Sequence, residues 1–132
     1  MRRTTIIAAL VAVAALFASF APAASANGTA VNRQVALHGS TSFPNATGSA
    51  QYQASSGQRE LQVEVEHIKV LAGKQVNVFV NGKKWASPRV SSLGKMDVDR
   101  NTEIGQSVPT IKAGSTVRVR TLGGTLIAGG SF

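Results

Sequence analysis

The sequence predicts an all-β fold: an antiparallel β-sandwich of about eight strands, Ig-like in general shape. Three observations lead to this prediction. Apolar and polar residues alternate with a period of two through most of the chain, which is typical of strands with one buried face. Loops rich in Gly, Ser, Asn and Pro separate these stretches. Beyond the N-terminal segment, no window carries the apolar stripe of an amphipathic helix.

The first 26 residues have the three parts of a bacterial secretory signal peptide. An Arg2-Arg3 pair begins it, an apolar run covers about residues 6–20, and Ala24-Ser25-Ala26 offers small residues to a signal peptidase. The run could nearly span a bilayer as an uncleaved anchor, but Pro22 and the small residues favour cleavage. We therefore expect a mature protein that begins at Asn27, keeps no transmembrane segment, and is secreted, periplasmic or held at the cell surface.

The mature chain is expected to be one basic domain. Residues 27–34 read as a flexible lead-in and residues 35–132 as a single β-sandwich domain. The chain has no Cys, so packing must stabilise the fold without disulfides. It has 14 Lys and Arg against 6 Asp and Glu; removing Arg2 and Arg3 leaves 12 − 6, or +6. This charge favours anionic partners, although it could also serve solubility alone.

The first four strands follow from the alternation of residues. The loop at 39–48 separates the first two strands. The third alternates acidic with apolar residues from Glu60, and His67 continues its apolar face as a partly buried, hydrogen-bonded residue. The fourth alternates valines with Asn77 and Phe79. These strands are predicted near residues 34–38, 49–54, 59–67 and 75–80.

The last four strands are organised by two hairpin signals. Asn81-Gly82 predicts a tight turn, because both residues tolerate positive φ. Gly123-Gly124 predicts a second turn near the C-terminus. Between them, apolar and charged residues alternate over 95–99 and 116–120. These strands are predicted near residues 84–90, 94–99, 116–121 and 125–132.

A faint internal repeat relates Val70–Val78 to Ile111–Val119 at an offset of 41 residues. Each copy has an apolar residue, an Ala-Gly turn, a strand and then a Gly-containing hairpin. Two interpretations stay open: hairpins that reuse the same turn chemistry, or a fold built from two related halves.

Several short motifs carry a resemblance to a known group of domains. They are Leu37 and Gly39, Arg59-Glu60-Leu61, Val63-Glu64-Val65, Val78-Phe79-Val80-Asn81-Gly82, Ser107-Val108-Pro109, Ala113-Gly114 and Gly130-Ser131-Phe132. Over residues 35–132 the chain resembles small secreted bacterial all-β domains that have no assigned activity. The resemblance implies a β-sandwich and export, and it transfers no functional residue.

We predict no catalytic residue, and therefore no enzyme. The chain has no Gly-x-Ser-x-Gly elbow, although His38 lies beside a loop that contains serines. Glu64 and Glu66 are ~7 Å apart on one strand face, a separation that an inverting glycosidase could use. We instead expect them to pair across strands with Arg118 and Arg120.

We also predict no metal site and no cofactor. Asp97, Asp99 and Asn101 alternate like the start of a calcium loop, but an EF-hand needs Gly and Glu where this chain has Thr102 and Val108. A different ion site at the three residues stays an alternative. The main interpretation is a solvent-facing strand that leads into a turn.

The candidate binding residues are Trp85, Lys83 and Lys84, which follow the Asn81-Gly82 turn. A Trp beside two cations could contact a sugar ring or an anionic polymer. Alternatively, Trp85 covers one end of the core while the lysines solvate the hairpin tip. A nucleic acid is not expected as partner, because the mature chain has few aromatic residues on which bases could stack.

The function predicted from the sequence is an exported, non-enzymatic binding or structural module of the cell envelope or extracellular space. Its partner would be an anionic envelope polymer or an extracellular protein. Two alternatives stay open. One is a small carbohydrate-binding or hydrolytic domain that uses Trp85 with Glu64 and Glu66; the other is non-specific binding of anionic polymers by charge alone.

Overall fold

The computed structural model describes residues 30–132, so the predicted signal peptide at 1–26 lies outside the described residues. Eight strands form the fold, with two short 3-10 turns, η1 (Lys69–Leu71) and η2 (Thr102–Ile104). The strands are β1 (Val31–Gly39), β2 (Thr47–Ser55), β3 (Gln58–Glu66), β4 (Val76–Val80), β5 (Lys83–Ala86), β6 (Met96–Asn101), β7 (Thr116–Thr121) and β8 (Leu126–Ser131). β1 therefore begins inside the stretch 27–34 that the sequence suggested as a lead-in.

All eight strands belong to one antiparallel sheet, in the order β5-β4-β7-β8-β1-β2-β3-β6. The sheet curls until it is nearly closed and barrel-like, with β5 and β6 as its two edges. The prediction of an all-β fold with about eight antiparallel strands is confirmed. The two-sheet, Ig-like sandwich is not confirmed, because the two predicted layers are continuous through β8 and β1.

The inner face of the sheet forms the apolar core. Tyr52, Leu61, Met96 and Ile127 are among its largest fully buried side chains, and Ile68 joins them from the segment after β3. Each such side chain stabilises the fold by about 1.5–3 kcal/mol relative to exposure. The alternating pattern of the sequence therefore identified the buried face correctly.

Both predicted hairpin turns are present. Asn81 and Gly82 have φ values of 51° and 80° and join β4 to β5 directly, the backbone that an Asn-Gly pair favours. Gly124 has a φ of 96° in the turn between β7 and β8. The strand β5 ends at Ala86, but the chain continues along β4, since Val76 N–H donates to the carbonyl of Pro88 at 2.9 Å.

The internal repeat places its two copies on neighbouring strands. Val78 of β4 pairs with Val119 of β7 in the antiparallel ladder. These two residues are also equivalent positions of the repeat, so a local twofold axis passes between them. Equivalent turns at Gly73 and Gly114 precede the two strands, with φ values of 78° and 87°.

Candidate anionic-ligand surface

The outer surface of β5, β4 and β7 presents a row of two cations and an aromatic ring. Phe79 of β4 pairs directly with Lys84 of β5 on one side and with Arg118 of β7 on the other. Directly paired residues lie on the same face of a sheet, about 4.5–5.5 Å apart at Cβ. Lys84 and Arg118 are exposed, and Phe79 is half-buried. The result is an aromatic side chain flanked by two positive charges.

A second row extends this surface along the strands. Asn77 pairs with Arg120, whose Nη1 atom donates to the carbonyl of Gly124 at 3.1 Å. Beyond Arg118 the next strand carries Gly129, which leaves room for the arginine stem. We call the set Lys84, Phe79, Arg118, Asn77 and Arg120 the cationic face.

The acidic residues lie elsewhere on the sheet. All six Asp and Glu residues of the chain are on β3, β6 or η2. They are Glu60, Glu64, Glu66, Asp97, Asp99 and Glu103. The cationic face therefore has no carboxylate on its own strands, and its positive potential is available to an anion from outside.

Only one of the three predicted binding residues lies on the cationic face. Lys84 lies there, whereas Lys83 pairs with Val80 and so occupies the other side of the sheet at the exposed hairpin end. Trp85 sits at a β-bulge, where the register between β4 and β5 shifts. It packs against the core as a half-buried residue. A β-bulge changes the direction of the side chain at the extra residue, here Trp85. Nothing in the sequence of the adjacent lysines indicated this bulge.

The indole of Trp85 is engaged inside the protein. Its Nε1 atom donates to the carbonyl of Ser107 at 2.9 Å, and the guanidinium of Arg100 lies 5.3 Å from its ring centroid. The aromatic residue of the cationic face is instead Phe79, which sequence reasoning missed as a binding residue. The signal was present in the alternation of β4, which puts Phe79 on the opposite face from Val78 and Val80.

We call the gap between the edge strands β5 and β6 the seam. A cleft of about 290 Å³ lies there. Arg100 crosses the seam, since its Nη1 atom donates to the carbonyl of Trp85 at 2.8 Å. The cleft is lined by Ala86, Ser87, Pro88, Asp97, Val98, Asp99, Arg100 and Gln106.

A pair of carboxyl groups lies beside the seam on the outer surface of β3 and β6. Burial, a hydrogen bond to Asp99 and the charges of Asp99 and Glu103 together raise the pKa of Glu60 from 4.5 to about 7, and burial is the largest of these causes. Two negative carboxylates side by side repel each other, so it is favourable for Glu60 to keep a proton and hydrogen-bond to Asp99. Glu60 is therefore protonated in part of the molecules near neutral pH.

The predicted pairing of Glu64 and Glu66 with Arg118 and Arg120 is wrong. The strand β3 pairs with β2 and β6, whereas β7 lies between β4 and β8. The actual partner is Lys95, whose Nζ atom lies 3.1 Å from Oε1 of Glu64 and 4.0 Å from Oε1 of Glu66.

This ion pair is partly buried. Glu64 is 7 % exposed, so it needs a partner for its negative charge. Burial of Lys95 acts to lower its pKa, but the hydrogen bond to Glu64 and the nearby carboxylate charges outweigh burial, so the pKa of Lys95 is raised. Glu64 therefore has a structural role, as the buried partner of Lys95 in a salt bridge.

The remaining sequence candidates lie apart from one another. The Oγ atom of Ser40 donates to the carbonyl of Leu126 at 2.5 Å, and His38 is exposed on β1. His67 is hydrogen-bonded as predicted, with Nδ1 3.1 Å from Oγ1 of Thr47. Its predicted partial burial is wrong, because its φ of 64° turns it out of the strand into solvent.

Asp97 and Asp99 are exposed on β6, and the carboxamide oxygen of Asn101 accepts a hydrogen bond from the N–H of Glu103 at 2.8 Å. This hydrogen bond caps the first turn of η2, where β6 leads into the turn. Within residues 30–132, no three His, Cys, Asp or Glu side chains come together as a possible metal site.

No helix in the described part of the chain combines the length and the apolar character needed to cross a bilayer. Comparison of the chain with protein-family models, curated proteins and solved structures found no match.

Proposed function

We propose that this chain is an exported, non-enzymatic module that binds anionic polymers of the cell envelope through its cationic face. The observation that carries the proposal is the cross-strand row Lys84–Phe79–Arg118. Lys84 and Arg118 lie on either side of β4, roughly 10 Å or two strand spacings apart, so they can contact separate anionic groups along one polymer. The ring of Phe79 between them offers an apolar contact to the polymer backbone.

The distribution of charge supports the same proposal. The strands β5, β4 and β7 carry no acidic residue, and the carboxylates of β6 lie across the seam, at the β5 edge of the cationic face. A field of this kind steers an anionic ligand to one side of the molecule. Binding should therefore depend on particular cations rather than on net charge alone.

The test is co-sedimentation of the secreted protein, produced from the full-length chain, with isolated cell-envelope material over a range of salt concentrations. Soluble inorganic polyphosphate serves as a second, defined probe. We expect binding at low salt that weakens as salt rises, because the polymer releases counterions when the protein binds.

The variants Lys84→Gln and Arg118→Gln should each weaken binding and reduce the salt slope by roughly one. The matched control is Lys112→Gln, which removes one exposed positive charge from the loop before β7. Equal losses in all three variants would contradict the proposed surface and leave only the net charge. Absence of binding at low salt would reject the function itself.

A further inference from the structure

The loops at 67–75, 87–95 and 122–125 lie together at one end of the barrel, which also carries the loop at 40–46. The loop at 67–75 meets the loop at 87–95 through two main-chain hydrogen bonds, from Gly73 N–H to the carbonyl of Val90 at 2.8 Å and from Ile68 N–H to the carbonyl of Gly94 at 3.1 Å. The loop at 122–125 lies beside them, because Thr121 pairs with Val76. We call these three loops the loop end.

Exposed apolar side chains concentrate at the loop end. Val70 is 75 % exposed, Leu93 65 % and Leu122 63 %, and each belongs to a different loop of the three. The described residues contain one further large apolar side chain of this exposure, Ile104. Ile104 lies in η2 after β6, at the opposite end of the barrel. The grouping of three exposed apolar side chains at one end of the barrel makes this end a candidate contact surface.

The loop end is also held in place and positively charged. A Cβ on Gly94 would lie 2.6 Å from Cα of Lys69, so the loops that carry Val70 and Leu93 pack closely. The Nη1 atom of Arg89 donates to the carbonyl of Gly73 at 2.6 Å and ties the same two loops together. Lys69, Lys74 and Arg89 are all exposed.

The charges that face this end are mostly positive. Glu66 closes β3 at the loop end, and the ammonium group of Lys95 lies 4.0 Å from its carboxylate. Three exposed cations and three exposed apolar side chains therefore share the loop end. This combination suits the interface of an anionic bilayer, where headgroups attract cations and apolar side chains enter the acyl boundary.

We propose that the loop end docks on the surface of an anionic phospholipid bilayer. Val70, Leu93 and Leu122 enter the interfacial layer, and Lys69, Lys74 and Arg89 contact the headgroup phosphates. Single apolar side chains on three loops, with cations beside them, suit insertion into a lipid interface. A protein partner would instead need a larger, continuous contact area. The surface is separate from the cationic face.

The test is co-sedimentation of the full-length chain's secreted product with vesicles of equal parts phosphatidylglycerol and phosphatidylcholine, beside vesicles of phosphatidylcholine alone. We expect binding to the anionic vesicles, with a part that resists high salt because it comes from the apolar side chains. Failure to bind the anionic vesicles would overturn the proposal.

The decisive variant combines Val70→Ser, Leu93→Ser and Leu122→Ser, and we expect its vesicle partition coefficient to fall at least about tenfold. Ile104→Ser is the matched control and should bind as the parent chain does. An unchanged triple variant, or an equal loss in Ile104→Ser, would overturn the proposal. Leu93→Ser alone, with a smaller expected loss, keeps the test available should the triple variant fold poorly.

The two proposals can fail separately. Arg118→Gln should weaken polyphosphate binding and leave vesicle binding nearly unchanged, whereas the triple serine variant should do the reverse. If Arg118→Gln removed vesicle binding to the same extent as the triple variant, attraction by overall charge would replace the proposed docking surface.

Discussion

Arg100 joins the two edges of the sheet through Trp85. Its Nη1 atom donates to the carbonyl of Trp85 at 2.8 Å, and its guanidinium carbon lies 5.3 Å from the centroid of the indole ring. Within residues 30–132, the sheet order joins β5 to β4 and β6 to β3 and leaves the seam without a main-chain ladder. The side chain of Arg100 therefore links β6 to β5 across the seam, where the other neighbouring strands are linked by main-chain hydrogen bonds.

The variant Arg100→Met should destabilise the fold by about 1–2 kcal/mol, since it removes a hydrogen bond and a cation–π contact. Urea unfolding measures the loss. Trp85 is the single tryptophan of the chain, so its fluorescence reports on the seam directly. We expect stronger quenching by acrylamide. Arg118→Met, at an exposed position, is the control, and equal destabilisation in the two variants would contradict the role of Arg100.

The carboxyl group of Glu60 should make stability depend on pH. Its pKa is about 7 in the folded state against an ordinary value of 4.5, so the folded state binds more protons between these values. The free energy of unfolding therefore falls as pH rises from about 4.5 to about 7 and changes little from this source above that. Because the group is partly solvated, we expect a change of only about 1 kcal/mol.

Urea unfolding of the parent chain and of Glu60→Gln at a series of pH values tests this expectation. The difference between the two proteins isolates the contribution of Glu60 from those of the other titratable groups. Glu60→Gln should be the more stable protein above pH 7. A difference that does not vary with pH would contradict the raised pKa.

The ion pair of Lys95 and Glu64 should matter because Glu64 is buried. Lys95→Met leaves the carboxylate without its partner and should cost about 1–2 kcal/mol of unfolding free energy. Adding Glu64→Gln should recover part of the loss. The same contribution should disappear in the parent chain as pH rises above 10.5 through the raised pKa of Lys95.

The control for this prediction is Lys112→Met, at an exposed lysine in a loop. It should change stability by less than about 0.5 kcal/mol. Failure of the double variant to recover any stability would show that packing of the Lys95 stem, rather than the charge of Glu64, carries the effect.

Gly48 should be irreplaceable for a steric reason. A Cβ at this position would overlap the main-chain carbonyl oxygen of Glu64 on the neighbouring strand. Gly48→Ala must therefore displace β2 from β3, and we expect a loss of more than about 3 kcal/mol or failure to fold. Gly123→Ala, whose nearest neighbour would be Thr121 Oγ1 at 3.8 Å, should be nearly neutral by thermal unfolding. Similar melting temperatures for the two variants would contradict the predicted clash.

Local patterns predicted the strands well. The alternation of Leu61, Val63 and Val65 with acidic residues identified β3 and its buried face, and Asn81-Gly82 identified the hairpin between β4 and β5. Partners along the sheet were harder to predict. Glu64 was matched to arginines of the wrong strand, because alternation assigns a residue to a face and carries no information about which strands are neighbours.

The cationic face, too, was predictable only in part from the sequence. The two lysines after the turn were visible in the sequence and, as adjacent strand residues, had to lie on opposite faces, but which face each one takes depends on the register of β5. Phe79 is flanked by Arg118 because β7 pairs with β4, and the sequence did not predict that these two strands are neighbours. The loop end could not be foreseen, since Val70, Leu93 and Leu122 are far apart in the chain.

By itself the sequence determined the class of fold, the approximate strands, the two hairpin turns and the basic character of the domain. These properties depend on residue type, period and backbone preference, which act over a few residues. The tertiary structure alone decided the single nearly closed sheet, the partner of each charge, the cationic face and the loop end. Those properties depend on which distant strands pair, and many strand orders bury the same apolar faces equally well.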